Sequence, residues 1–225
     1  MATVAAIYTG QGLSERIQPI FREVLPDCRL VSIIDDSLIA DVIRSGYVTP
    51  AVTRRLTQYY RHAEEIGADM ILNTCSSVGE VADWARPMLD IPIIKIDEAM
   101  AALAASQYRN IGVLATLPTT LEPTKRLIQR EAGKQNRDVQ IVDALAKGAY
   151  QALISGQPEE HDRLILEAAR SVAQQADVLV LAQGSMVRME EALQKATNLP
   201  VYSSPRLGVM AVKAELERMG KVNSI

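Results

Sequence analysis

An internal repeat limits what this chain can fold into more than any other feature. At an offset of 108 residues, Ala68-Asp69 pairs with Ala176-Asp177, and Pro92 pairs with Pro200. The most telling match is a set of four alternate residues: Arg29, Val31, Ile33 and Asp35 are identical to Arg137, Val139, Ile141 and Asp143. Because self-similarity at a fixed offset indicates a repeated structural unit, we expect two similar lobes of about 100 residues each.

Short apolar segments rich in β-branched residues predict strands, and they alternate with segments of helical period such as Thr53–Ile66 and Asp162–Gln175. The predicted strands are Val4–Tyr8, Arg29–Ile34, Met70–Leu72, Ile91–Ile96, Ile111–Ala115, Val139–Val142, Val178–Leu181 and Pro200–Ser203. Their apolar residues are consecutive, which indicates burial on both faces and therefore parallel sheets covered by helices. We predict an α/β fold of two similar lobes related by a pseudo-twofold axis, each with a four-stranded parallel sheet.

The repeat also predicts the domain boundaries and the place of a ligand site. Lobe one is expected to comprise residues 1–98 and 207–225, and lobe two residues 99–206. In open parallel α/β sheets, ligands bind outside the carboxyl ends of the strands. The expected active site is therefore a cleft between the lobes, toward which the strands of both lobes point.

Composition and charge exclude several classes of function. The chain has 225 residues, of which 48% are hydrophobic and 23% charged, as in an ordinary globular protein. A net charge of −3 from interspersed acids and bases argues against nucleic acid or an anionic membrane as a partner. The chain has no run of about 18 apolar residues and no basic signal region, so we predict a cytoplasmic protein.

The cysteines and histidines are few and widely spaced, which argues against a metal site or a disulfide framework. The two cysteines are Cys28 and Cys75, and the two histidines are His62 and His161. Cys28 has no polar cluster around it and is expected to be a packing residue. Both histidines are on predicted helices away from the strand ends, so each is expected on a solvated helix face.

Small polar residues follow the central strands of both lobes, and these positions predict the walls of the cleft. At the repeat offset, Cys75 corresponds to Gln183, and Thr9 corresponds closely to Thr116. The candidate substrate-binding residues are Thr9, Asn73, Thr74, Ser76, Ser77, Thr116, Thr119, Thr120, Gln183, Gly184 and Ser185.

Three segments together resemble the aspartate/glutamate/hydantoin racemase superfamily along nearly the whole chain: "LNTCSSVG", "VLATLPTT" and "ADVLVLAQGSM". The resemblance implies cofactor-free chemistry at a carbon next to the carboxylate of a small carboxylic acid or amino-acid-like substrate. It implies that Cys75 is the catalytic thiol, and it leaves a homo-oligomer open. In the racemases of this superfamily each lobe supplies a cysteine, whereas here Gln183 stands at the second position.

The missing second thiol leaves several reactions open, because a carboxamide does not exchange protons near neutral pH. One thiol suffices to protonate a single face after decarboxylation, as in arylmalonate decarboxylase, which resembles a one-cysteine member with its thiol in the other lobe. It also suffices for thiolate addition that lets a double bond rotate, as in maleate isomerase, or for racemisation with another second base. A non-catalytic protein that binds small acids is the alternative from a different class.

The residues around Cys75 give two further expectations. A helix that begins at about Ser77 is expected to direct N–H groups at the sulfur and lower the pKa of the Cys75 thiol. Those N–H groups, with nearby hydroxyls, are also expected to hold a carboxylate and to stabilise an enediolate. The hydroxyls are those of Ser76, Ser77, Thr116, Thr119 and Thr120.

Overall fold

The computed structural model describes residues 1–223, and the chain forms two compact units. The first unit comprises Met1–Asp97 and the chain from Pro205 onward, and the second unit comprises Glu98–Ser204. Residues 224 and 225, which the sequence analysis assigns to lobe one, lie outside the described residues. Among residues 1–223, no helix combines the length and the apolar character needed to span a bilayer.

Each unit contains one four-stranded parallel sheet, and the two sheets have the same strand order. The first unit contains β1 (Thr3–Tyr8), β2 (Arg29–Ile34), β3 (Met70–Asn73) and β4 (Ile93–Lys95). The second contains β5 (Asn110–Ala115), β6 (Gln140–Leu145), β7 (Val178–Leu181) and β8 (Val201–Ser203). The orders β2-β1-β3-β4 and β6-β5-β7-β8 confirm the predicted fold of two four-stranded parallel sheets.

Helices connect the strands and flank both sheets. They are α1 (Leu13–Val24), α2 (Ser37–Ser45), α3 (Pro50–Glu65), α4 (Gly79–Ala85), α5 (Glu98–Gln107), α6 (Pro118–Lys134), α7 (Ala149–Ile154), α8 (Pro158–Val172), α9 (Glu190–Thr197) and α10 (Ser204–Arg218). Short 3₁₀ turns lie at Ser76–Val78, Arg86–Met88, Ala173–Gln175 and Gly184–Met189. Proline in the first turn, as at Pro50, Pro118 and Pro158, starts three of the long helices because its fixed φ suits that position.

The core of the first unit explains why its strands are apolar at consecutive positions. Successive residues of a strand point to opposite faces of the sheet. Ala5 and Ile7 pack with the cluster that includes Leu56 of α3, whereas Val4 and Ala6 pack with the cluster that includes Val209 of α10. Both faces of β1 are therefore buried, as the sequence predicts.

The core of the second unit follows the same plan. Leu179 and Leu181 of β7 pack with Ile165 and Ala169 of α8. Helices α5 and α6 contact β7 and β5. Helix α8 overlaps the segment Asp162–Gln175, whose helical period the sequence predicts.

Two boundaries near the candidate site differ from the prediction. The strand expected at Ile91–Ile96 is only Ile93–Lys95, since Pro92 lacks an N–H and contributes only its carbonyl oxygen, which accepts from the Ile71 N–H at 2.9 Å. Asn73 is the last residue of β3 rather than the first residue after it, because it pairs in register with Ile7.

The expectation for His161 is wrong. His161 is fully buried and begins the stripe that continues with Ile165 and Ala169, so it lies on the core face of α8. The spacing of four residues places these side chains on one face of the helix. His62, in contrast, is exposed on α3, as expected.

Candidate active site

Cys75 lies where β3 ends and the chain turns into α4. Its backbone is extended, with φ −125° and ψ 117°, and the 3₁₀ turn Ser76–Val78 follows it directly. The preceding residue is tied to the neighbouring strand, because the Thr74 N–H and hydroxyl both donate to the Ile7 carbonyl, at 3.2 and 2.8 Å. This pairing fixes the thiol at the carboxyl end of the sheet, beside the residues that follow β1.

The Cys75 sulfur has hydrogen-bond donors from both segments. The Thr9 hydroxyl, the N–H groups of Ser77 and Val78, and the Ser77 hydroxyl all favour the thiolate. Burial opposes them and is the larger effect, so the pKa of the Cys75 thiol is raised above its ordinary value. The expectation of a lowered pKa is therefore wrong. The donors are present, but desolvation outweighs them.

This balance decides which form of the thiol is present. With a raised pKa, the Cys75 thiol keeps its proton at neutral pH. A thiolate at this position would be stabilised by the same hydroxyl and N–H groups. Cys28, by contrast, packs against the core cluster of β1, α1 and α10, as expected for a packing residue.

Asn73 links the segment that carries Cys75 to helix α3. Its side-chain oxygen accepts from the Tyr60 hydroxyl at 3.0 Å, and its side-chain nitrogen donates to the Cys75 carbonyl at 3.1 Å. Asn73 is buried and holds the backbone of Cys75. Sequence reasoning missed Tyr60, because it continues the apolar stripe of Val52 and Leu56 and therefore reads as a core residue.

A partly buried ion pair lies next to the Cys75 segment and was also missed. Lys95, opposite Asn73 in the sheet, is almost fully buried, and its Nζ lies 2.9 Å from Asp83 of α4. Asp83 also pairs with Arg86 at 3.0 Å. The sequence does contain a signal for this ion pair, because Lys95 stands inside the apolar run "IPIIKI". A buried cation needs a partner of opposite charge.

In the second unit, Gln183 has the same place as Cys75 in the first. Its backbone is extended, with φ −131° and ψ 134°, and the 3₁₀ turn Gly184–Met189 follows it. Its side-chain oxygen accepts two hydrogen bonds from Thr116, one from the N–H at 2.6 Å and one from the hydroxyl at 2.9 Å. The structure thus joins two predicted site residues directly.

The other predicted residues of the second unit lie close to Thr116 or Gln183 in sequence. Thr119 and Thr120 are in the first turn of α6, and the Thr119 hydroxyl oxygen is buried with no hydrogen-bond partner among the described residues. Gly184 and Ser185 begin the 3₁₀ turn and are half-buried. Thr119 is therefore the clearest open hydrogen-bonding group near the start of α6.

The turn after Gln183 is fixed to α8 by three residues that sequence reasoning did not select. Arg188 donates to both carboxylate oxygens of Asp162, at 2.9 and 2.6 Å. His161 Nδ1 lies 2.8 Å from Asp162 and 3.2 Å from Arg188, while its Nε2 has no partner within residues 1–223. The arginine and aspartate were not predicted because residues 26 apart in sequence carry no local pattern.

Within each unit, the structure brings the predicted residues together at the carboxyl ends of the strands. In the first unit these are Thr9, Asn73, Thr74, Cys75, Ser76 and Ser77. In the second unit they are Thr116, Thr119, Thr120, Gln183, Gly184 and Ser185. That Cys75 and Gln183 share one cleft stays a prediction. In the described part of the chain, no three His, Cys, Asp or Glu side chains are grouped as metal ligands.

Two parallel α/β units of identical strand order, each with small polar residues at its strand ends, define a class of duplicated α/β proteins. The model of one such family, Asp/Glu/Hydantoin racemase, matches residues 6–212. The chain therefore belongs to the Asp/Glu/hydantoin racemase family, as the sequence motifs predict.

Solved structures share this fold at low sequence identity. Glutamate racemase from Francisella tularensis, in complex with D-glutamate, has a TM-score of 0.80 and 14% identity, over 100% of this chain and 84% of that one. Aspartate racemase from Picrophilus torridus has a TM-score of 0.74 and 16% identity, over 99% and 96%. Allantoin racemase from Klebsiella pneumoniae has a TM-score of 0.68 and 17% identity, over 100% and 91%. No protein of curated function matches the chain in sequence.

Proposed function

We propose that this protein is an isomerase of the racemase type that acts on a small carboxylic acid or a related amino-acid-like compound, without a cofactor. Cys75 transfers a proton at the carbon next to the carboxylate. The observation that carries the proposal is the convergence of hydroxyl and N–H donors from Thr9, Ser77 and Val78 on one thiol at a strand end. Membership of the racemase family supports it.

The state of the thiol suggests its role. A protonated Cys75 donates its proton to an enediolate carbon, and the resulting thiolate is stabilised by the Thr9 hydroxyl and two backbone N–H groups. In the reverse direction the thiolate removes the α-proton. Relatives of the same fold are named for glutamate, aspartate and allantoin, and these compounds define the first substrates to try.

Gln183 favours a second candidate, a decarboxylase of the arylmalonate type. Its carboxamide oxygen is engaged by Thr116, and a carboxamide does not exchange protons near pH 7. In this reaction, one carboxylate of a malonate leaves as carbon dioxide, and its electron pair forms the enediolate. The Cys75 proton then forms the new C–H bond on one face, and the thiolate regains a proton from water.

A proton-exchange screen in deuterated water separates these reactions. We expect deuterium to enter the α-position of a substrate from a panel of aspartate, glutamate, allantoin, hydantoins, 2-aryl acids and malonates. Exchange with loss of stereochemical purity and no release of carbon dioxide identifies racemisation, whereas carbon dioxide release from a malonate identifies decarboxylation. Cys75→Ser should lose the activity and Cys28→Ser should keep it.

Two results would contradict the proposal. Full activity in Cys75→Ser would show that the thiol is structural. Binding of an acid from the panel without exchange, isomerisation or decarboxylation would instead identify a small-acid binding protein.

A further inference from the structure

The contacts at Thr116 allow the Gln183 carboxamide only one orientation. The side-chain oxygen lies 2.6 Å from the Thr116 backbone nitrogen and 2.9 Å from its hydroxyl. A backbone N–H can only donate, so the atom that faces it must be the carbonyl oxygen of the carboxamide. The reversed amide would place its NH₂ group against the Thr116 N–H, so that two donors would face each other with no acceptor between them. The chemistry of the partner therefore fixes the orientation.

This orientation turns the Gln183 NH₂ group away from Thr116. The oxygen and nitrogen of a carboxamide diverge from the same carbon, so the two N–H donors point to the other side. Within residues 1–223, Gln183 makes no side-chain hydrogen bond apart from those to Thr116. Because Gln183 is only half-buried, the NH₂ group retains two donors for a ligand.

The same geometry changes the role expected for Thr116. Thr116 is buried, and both of its donors, the backbone N–H and the hydroxyl, are directed at Gln183. Neither is left to donate to a substrate carboxylate. Thr116 therefore acts on a ligand through Gln183.

We propose that Gln183 is a specificity-determining residue that binds an acceptor oxygen of the ligand through its NH₂ group, and that Thr116 is the positioning residue that orients it. The ligand presents a carboxylate or carbonyl oxygen to the second unit. An ammonium group at the same point would face two N–H donors and is excluded. The identity of the ligand as a small acid rests on the proposed function, whereas the orientation of the carboxamide does not.

Nuclear magnetic resonance of the ¹⁵N-labelled full chain tests the orientation without a ligand. The Gln183 NH₂ signals are assigned by their loss in Gln183→Met. We expect the Thr116 amide proton, which makes a short hydrogen bond, to move upfield in that variant. Gln151→Met is the matched control, because Gln151 is exposed on α7 and its side chain hydrogen-bonds, within residues 1–223, to Ser155 alone. An unchanged Thr116 amide signal in Gln183→Met would overturn the orientation.

Calorimetric titration with two probes tests the ligand class. Sodium succinate offers carboxylate oxygens, and hydantoin offers neutral carbonyl oxygens. We expect Gln183→Met to weaken binding by about ten- to a hundredfold, the usual loss for a hydrogen bond to a charged or buried acceptor. Gln183→Glu should weaken succinate more than hydantoin, because it adds a negative charge.

A double-variant cycle separates positioning from direct contact. Thr116→Val should weaken binding less than Gln183→Met, and the double variant should bind as Gln183→Met does. Additive losses would show that Thr116 contacts the ligand itself, which overturns its positioning role.

The remaining outcomes distinguish this inference from the proposed function. If wild type binds a probe and Gln183→Met binds it equally well, the inference fails and the proposed function stands. If wild type binds neither probe, the ligand part of the inference fails. A negative proton-exchange screen would then contradict the proposed function as well.

Discussion

The turns that follow β3 and β7 have the same backbone form and different chemistry. Cys75 and Gln183 both have extended backbones and both precede a 3₁₀ turn. Each also receives a hydrogen bond from a threonine at the end of the central strand, Thr9 in the first unit and Thr116 in the second. The acceptor is a sulfur that can carry a proton in one unit and a carbonyl oxygen that cannot in the other.

This comparison shows what the repeat preserves. The strand order and the threonine donor are the same in both units. The atom that accepts the threonine hydrogen bond differs, because it belongs to the side chain of Cys75 in one unit and of Gln183 in the other.

Removing the thiol should have the largest effect. Cys75→Ala is expected to lower the rate on the substrate identified by proton exchange by about a hundred- to ten-thousandfold, the usual contribution of a general acid or base. Gln183→Met should keep turnover at saturating substrate closer to wild type, because it removes no proton carrier. Steady-state kinetics of both variants would check this. Equal losses in kcat would show that the two turns contribute alike to the chemistry.

Giving the second turn a thiol should make the two turns alike. In Gln183→Cys, the Thr116 donors face a sulfur, as Thr9 does at Cys75. If both positions serve the same substrate carbon, exchange of the α-proton with loss of stereochemical purity should increase by about tenfold. Chiral chromatography of the product measures this, with Ser185→Cys as a control for a misplaced thiol. A folded Gln183→Cys with unchanged stereochemistry would contradict a shared carbon.

Removing the threonine donor should change the pH dependence of Cys75. In Thr9→Val the thiolate loses one hydrogen bond, so the pKa of the Cys75 thiol, already raised by burial, should rise further. Alkylation by iodoacetamide requires the thiolate, which forms above the pKa. The pH at which alkylation accelerates should therefore be higher in Thr9→Val than in wild type. At a fixed pH below the pKa, the alkylation rate should fall by up to about tenfold.

Mass spectrometry at Cys75 measures this profile across pH. Thr57→Val is the matched control, because among the described residues the Thr57 hydroxyl donates only to the Thr53 carbonyl in its own helix. Wild-type Cys75 should also keep its proton through neutral and mildly alkaline pH, so proton donation should persist there. A profile that moves to lower pH in Thr9→Val would refute the donor role of Thr9.

Loosening the second turn should have the smallest effect. Arg188→Met removes the link to Asp162 on α8, a pair that is only partly buried. We expect a loss of about 1 kcal/mol or less in the free energy of unfolding and a KM increased severalfold. Urea unfolding and kinetics measure both quantities, with the exposed Arg163→Met as control. A KM that stays unchanged would show that the Gln183 turn does not depend on α8.

The sequence by itself determined the architecture and most of the candidate residues. The 108-residue repeat and the consecutive apolar strands predict two parallel four-stranded sheets, because burial on both faces requires that pattern. Strand-end topology selects Cys75 and Gln183, because ligands bind at the carboxyl ends of parallel strands. These inferences need only the period of the pattern and the order of the segments along the chain.

Only the tertiary structure decided how those residues behave. The raised pKa of Cys75 depends on how far burial outweighs the donors around it, and a sequence gives the donors but not the burial. The Thr116–Gln183 pair, the Lys95–Asp83 ion pair and the burial of His161 join segments that are distant in sequence or depend on which helix face meets the sheet. Such contacts arise from packing in three dimensions, which local patterns do not encode.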